Sequence, residues 1–260
     1  MERASLHTHT QWSDGLVSVE ELVRGATQQQ FAMLGISDHL ILHPEVAVPD
    51  VTMPLDRIDA YVHDVLCARE KAAIPVKLGV EVDFFPANPY HSRIMDILNG
   101  YPFDYVIGSI HMIHTFPIDR DPSYWRPLSQ ERIDHIYEAY WRAMKELAET
   151  GFCHIVGHLD LPKKFGFQPR KDLTRLVNDA LEAIRKAGVV VELNTGGWDK
   201  QCRECYPSPE LISKCAERGI PMMVNDDAHH SDQLARYFER AQHVLKDAGI
   251  HPREASSIAP

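Results

Sequence analysis

His7 and His9 stand two residues apart at the end of a short apolar run, and Asp227 and His229 repeat that spacing near the other end of the chain. Alternate residues of an extended segment point the same way, so each pair can present two donor groups to one point. Imidazole nitrogens and carboxylate oxygens presented together are ligands for divalent metal ions. Asp14, His39, Glu81, His111 and His158 follow other apolar runs and bring the candidates to nine. A zinc ion takes about four ligands, and a catalytic one keeps a position open. With one bridging carboxylate, the set can hold two or three ions.

Such a cluster needs elements that deliver distant residues to one place. Short apolar runs at 4–9, 32–37, 76–82, 103–110, 152–157, 189–193 and 220–225 alternate with segments of helical periodicity. This pattern predicts seven βα units, a largely parallel sheet and one α/β domain over residues 1–260. A first helix opens with the capping box Ser18-x-x-Glu21 and carries Val19, Leu22, Val23 and Ala26 on one face. Further helices are expected at 56–73 and 91–98. The clearest carries Ile133, Ile136, Tyr137, Tyr140, Met144, Leu147 and Ala148 on one face and stops at Gly151. Others follow at 171–187, from the Ser208-Pro209 start to Gly219, and at 232–248, while 252–260 reads as loosely held.

Six of the seven predicted strands end in a metal-ligand side chain. In a β/α barrel these ends converge on one face, where active sites are built. That joint pattern, more than any single histidine, carries the metal reading. His43, His63, His91, His114, His135, His154, His230, His243 and His251 fall outside it, with His154 and His230 nearest to the chosen positions.

Composition narrows the function. At 44% hydrophobic and 25% charged, the 260 residues match a soluble globular protein. A formal charge of −10 argues against a nucleic-acid footprint, which needs basic stripes. No apolar stretch reaches membrane-span length and the first residues do not read as a signal peptide, so a cytoplasmic protein with no membrane partner is expected. Oligomeric state is not legible. Cys202-x-x-Cys205 has metal or redox spacing, but no second pair completes a site, and the two read as free thiols.

The motifs His7-Thr8-His9-Thr10 with Ser13-Asp14-Gly15, Ser37-Asp38-His39, Gly108-Ser109-Ile110-His111 and Asp227-Ala228-His229 resemble those of the polymerase and histidinol phosphatase (PHP) superfamily. Gly157-His158-Leu159-Asp160-Leu161 with Lys163-Lys164-Phe165, Glu192-Leu193-Asn194-Thr195-Gly196 and Tyr206-Pro207-Ser208 resemble its monofunctional histidinol-phosphatase branch. The resemblance runs from Leu6 to about Gly249. It implies a distorted, TIM-like (β/α)7 barrel with its metal site at the C-terminal ends of the strands. It also implies His7, His9, Glu81 and Asp227 at one ion, Glu81 as a bridge to His111 and His158 at a second, and Asp14, His39 and His229 at a third. Some relatives have histidine at position 14, so the third site is more oxygen-rich here, and zinc, manganese and iron all remain open.

The implied reaction is hydrolysis of a small phosphate monoester, and for this branch L-histidinol phosphate in histidine biosynthesis. Metal ions acidify water from a pKa of about 15.7 to about 7 and neutralise phosphoryl charge. Lys163 or Lys164 can hold a phosphate oxygen, or the pair is a solvated basic patch. Glu81 joins the catalytic set as the bridge, and Asp160 and His229 are candidates to protonate the leaving group. Ligand motifs read the phosphate and not the leaving group, so another phosphoesterase, such as a nucleoside monophosphate phosphatase, stays open. A polymerase-type nuclease fits the acidic balance poorly, and a non-catalytic metal-binding regulator fits the intact ligand set poorly.

Overall fold

The computed structural model describes residues 3–87 and 89–258. The strands are β1 (Ala4–Ser5), β2 (Met33–Ile36), β3 (His39–Leu40), β4 (Val76–Asp83), β5 (Tyr105–Ser109), β6 (Met112–Ile113), β7 (Phe116–Pro117), β8 (Ile155–Val156), β9 (Val190–Asn194) and β10 (Met222–Asn225). The helices are α1 (Val19–Gln28), α2 (Ile58–Lys71), α3 (His91–Gly100), α4 (Gln130–Thr150), α5 (Thr174–Ala187), α6 (Pro209–Glu217) and α7 (Phe238–Asp247).

Strands β1, β2, β4, β5, β8, β9 and β10 follow one another around a parallel sheet. The sheet curls into a nearly closed (β/α)7 barrel. β3 continues β2 in the same register along β4, pairing His39 with Glu81, so the two are one strand broken at Ser37-Asp38. Among the described residues the seam between β1 and β10 has no ladder. It is stitched by the Thr8–Ala228 bridge, by Leu6 N–H donating to Asn225 Oδ1 at 2.8 Å, and by the Ser5 hydroxyl donating to Asp226 at 2.7 Å. Side chains thus stitch the seam at Ser5 and Leu6, and a backbone bridge joins it where His7 and His9 approach Asp227 and His229.

Local chemistry explains most element ends. Ser18 and Glu21 form the expected reciprocal box at α1. Gly151 and Gly188 take left-handed φ of 73° and 71° at the ends of α4 and α5, which a Cβ would oppose. Two expectations change. The predicted 232–248 helix begins only at Phe238, because Ala235 and Tyr237 adopt positive φ and break the run. The 252–260 tail is not loose over its described part. Ala255 and Ile258 are buried against Leu6, Tyr105, Ile107, Ile155, Val190 and Met223, closing the N-terminal end of the barrel.

Strand β4 shows how period-two alternation builds the site. Leu78, Val80 and Val82 join the helix-facing core, while Lys77, Gly79, Glu81 and Asp83 face inward. Gly79 sits where a Cβ would lie 2.2 Å from the Tyr105 ring, so this glycine lets the ring cross the barrel interior. Above that ring, the same strand delivers Glu81. The small hairpin of β6 and β7 and the 41–55 segment flank the C-terminal mouth. Cys202 and Cys205 are both free thiols. Among the described residues no helix is long and apolar enough to cross a membrane.

Candidate active site

At the C-terminal mouth, nine residues from across the chain surround one cavity of ≈ 210 Å³ or lie directly beneath it. Glu81 is at the centre, wholly buried. Its Oε2 lies 3.2 Å from His7 Nε2, 3.5 Å from His9 Nε2 and 2.9 Å from His39 Nδ1. Its Oε1 lies 2.9 Å from His158 Nε2 and 3.7 Å from His111 Nε2. Asp227 Oδ1 closes one side at 3.2 Å from His9 Nε2 and 3.7 Å from His7 Nε2. Asp14 Oδ1 closes another, 3.3 Å from His229 Nε2 and 3.6 Å from His39 Nε2.

The surroundings prepare these groups to bind cations. Glu192 takes the His7 Nδ1 proton at 2.8 Å, Asp83 faces His111 Nδ1, and the Asp227 carbonyl faces His229 Nδ1 at 3.1 Å. An imidazole that donates through Nδ1 leaves its Nε2 lone pair bare, and here all three Nε2 atoms point at the cluster. His7 Nε2, both nitrogens of His9, His39 Nδ1 and Glu81 Oε2 are buried without a hydrogen-bond partner. Buried polar atoms are rarely left so. A set of imidazoles and carboxylates with unpartnered inward lone pairs fits divalent cations. Four overlapping groups can be drawn: His9, Asp14, His39 and His229; His7, Glu81 and His158; His7, His9 and Asp227; and His39, Glu81 and His111.

Electrostatics carry the same demand for positive charge. Burial opposes a charged imidazole at His39, yet the Glu81 and Asp14 carboxylates raise it to about 9. Burial likewise opposes protonation of His111, and Asp83 and Glu81 raise it to about 10. His9 goes the other way, to about 3, through burial and its neighbours His39 and His229. Burial disfavours ionised Glu81, but the surrounding imidazoles hold it well below the usual carboxylate range. Protons crowd onto this site because the imidazoles are the groups that balance its buried carboxylates, and a divalent cation answers the same need.

Two of the remaining sequence-predicted residues lie outside the lining of the cavity. Lys163 is buried, and its ammonium is used up by the Cys205 carbonyl at 2.7 Å, Asp160 at 3.0 Å and Glu204 at 3.1 Å. Asp160 also accepts from Ser208 N–H at 3.0 Å, so it anchors the 160–165 turn to the 204–208 segment instead of reaching the cavity. Lys164 does line the cavity, donating to Asp119 at 3.1 Å. His154 accepts from Val106 N–H before the start of β8, far from the mouth, and His230 caps the turn at 231–233.

Sequence reasoning missed several contributors. Glu192, besides orienting His7, accepts from His158 N–H, Asn194 and Asn225. A carboxylate inside the apolar run Val189–Leu193 was the available signal. Asp38 takes the Thr10 N–H and hydroxyl and the Ser13 hydroxyl, fixing the loop that carries Asp14. Lys200, Tyr206 and Arg236 complete the wall.

The PHP domain family matches residues 5–196. The chain belongs to this family. Among curated PHP relatives, the probable histidinol-phosphatase of Deinococcus radiodurans is 29% identical over 231 residues, covering 88% of this chain and 86% of that one. The histidinol-phosphatase of Bacillus subtilis is 23% identical, covering 92% and 98%. Among solved structures, the histidinol phosphate phosphatase of Lactococcus lactis, complexed with zinc, L-histidinol and phosphate, superposes with a TM-score of 0.78 at 19% identity, covering 96% of this chain and 95% of that one. The family match covers residues 5–196, and the resemblance read from the motifs runs beyond it to include Asp227 and His229.

Proposed function

We propose that this PHP chain, as a single domain, is a metal-dependent phosphomonoesterase that hydrolyses L-histidinol phosphate to L-histidinol and phosphate. The observation that carries the reading is the convergence of six imidazoles and three carboxylates, with buried atoms of His7, His9, His39 and Glu81 left unpartnered. The full-length similarity to histidinol-phosphatases supports the choice of substrate.

In this reading His7, His9, Glu81 and Asp227 hold one ion, Glu81, His111 and His158 a second, and Asp14, His39 and His229 a third. Zinc, manganese and iron all suit these donors. Bound there, such ions acidify water and neutralise phosphoryl charge. Glu81 divides its two oxygens between the His7, His9 and His39 side and the His111 and His158 side, which suits a bridge. His229 faces Asp14 through Nε2 with Nδ1 committed to the Asp227 carbonyl, which favours a ligand role over proton donation to the leaving group. Lys164 meets a phosphate oxygen as a point charge, released in part from Asp119. Lys200 adds positive potential to the cavity wall.

The test is phosphate release by metal-free protein reloaded with zinc, manganese or iron(II), assayed on L-histidinol phosphate, nucleoside monophosphates and sugar phosphates. L-Histidinol phosphate is expected to give the highest kcat/KM. Metal-loaded protein that releases phosphate from none of them would sink the phosphatase reading, and a nucleotide preference would sink the substrate assignment alone.

A further inference from the structure

Asp227 carries a left-handed backbone, with φ of 52°, and left-handed geometry is costly for a residue with a Cβ. Something must hold it, because its carboxylate direction follows from that backbone. Arg236 grips this segment from the side. Its Nε and Nη2 donate to the Asp226 carbonyl at 3.0 and 2.6 Å, and Nη2 also donates to the Asp227 carbonyl at 3.0 Å. Nη1 reaches Asp199 at 3.3 Å, tying the grip to the turn after β9. A Cβ at Gly196 would lie 2.7 Å from Nη2, so the absence of a side chain there gives the guanidinium its place. On the opposite side, Asn194 Nδ2 donates to Asp227 Oδ2 at 3.1 Å, leaving Oδ1 toward His7 and His9.

We infer that Arg236 is a positioning residue for Asp227: its planar fork spans two successive carbonyls and fixes the carboxylate at the angle from which it meets a cation shared with His7 and His9. The inference rests on the metal reading of the cavity. A fork is required, since an ammonium is a point donor and cannot hold both carbonyls in fixed directions. Groups that orient ligands without touching the metal typically change affinity by ~10–100-fold when removed.

The experiment measures zinc binding by the full-length apoprotein in a chelator-buffered zinc series, for wild type, Arg236→Met and Arg236→Lys, with thermal melting of each apoprotein. Expected is a ~10–100-fold loss of affinity in the tightest phase for Arg236→Met, little recovery in Arg236→Lys, and a KM for the ester unchanged once zinc is saturating. Should Arg236→Met not fold, the same loss in a folded Arg236→Lys carries the inference. Unchanged zinc affinity with a lowered apoprotein Tm would overturn it in favour of a purely structural role. A raised KM at unchanged affinity would overturn it in favour of direct substrate contact, and full recovery by lysine would overturn the fork. Failure of the wild type to bind zinc at all would instead remove the metal reading beneath it.

Discussion

The two ends of the barrel are built from the same strands to opposite specifications. At the N-terminal end, Tyr105 crosses the interior between Gly35 and Gly79 and donates to the Leu6 carbonyl at 2.5 Å. Lys77 caps the Ile258 carbonyl, and Ala255 and Ile258 cover what remains. Apart from the Arg69 Nε, the polar groups named there are paired and the rest is apolar. At the C-terminal end, only a few residues along the same strands, buried nitrogens and carboxylate oxygens are left without hydrogen bonds. Satisfied polar atoms stabilise a fold, whereas convergent unsatisfied ones cost stability and persist where a ligand completes them. The contrast locates function at the upper end independently of any relative.

Glu81→Gln attacks this contrast at its centre and carries the largest expected effect. Glutamine keeps the volume and can still accept from Ser109, but it cannot serve as an anionic bridge. Phosphatase activity at saturating metal should fall on the order of 10³-fold, as expected when central transition-state charge stabilisation is lost. Thermal melting gives a second reading. Metal at 100 times its Kd should stabilise the wild type by about 2.7 kcal/mol, and that metal-dependent rise in Tm should largely vanish in the variant. A full rise with full activity would show that Glu81 is not a bridge.

The convergence of the candidate residues and the barrel were largely legible because each candidate follows an apolar run, and one strand direction then places all of them at one mouth. What was not legible depends on contacts between segments distant in sequence. Lys163 and Lys164 are adjacent in a 3-10 turn, where successive side chains diverge by about 120°. Sequence therefore cannot say which enters the cavity. The tail from Ala255 to Ile258 has too few apolar residues to show a period, and its burial depends on the barrel end it covers. Arg236 acts through backbone carbonyls, which leave no trace in side-chain spacing.

Lys163→Met sharpens the contrast by showing that the upper end also contains scaffold. It removes the partner of buried Asp160 and the donor to the Cys205 carbonyl. Breaking one half of a buried pair typically costs about 3–5 kcal/mol, so denaturant unfolding should show a loss of that order. The kcat/KM of the molecules that remain folded should stay near wild type. A variant of normal stability with a raised KM would restore Lys163 to the phosphate site.

Gly79→Ala makes the corresponding test at the lower end, with the smallest expected effect. The added methyl meets the Tyr105 ring at 2.2 Å, and that ring is wholly buried, with its hydroxyl tied to the Leu6 carbonyl just after β1. It has little room to move, and overpacking of this kind typically costs about 1–3 kcal/mol. Gly79 is two residues before Glu81 on the same strand, so a rigid strand could carry the strain upward to the cluster. If the two ends are independent, the variant loses stability in chemical denaturation but keeps its zinc affinity and its kcat. Weakened zinc binding in proportion to the lost stability would mean instead that Tyr105, by packing against β4, also sets the height at which Glu81 meets its ligands.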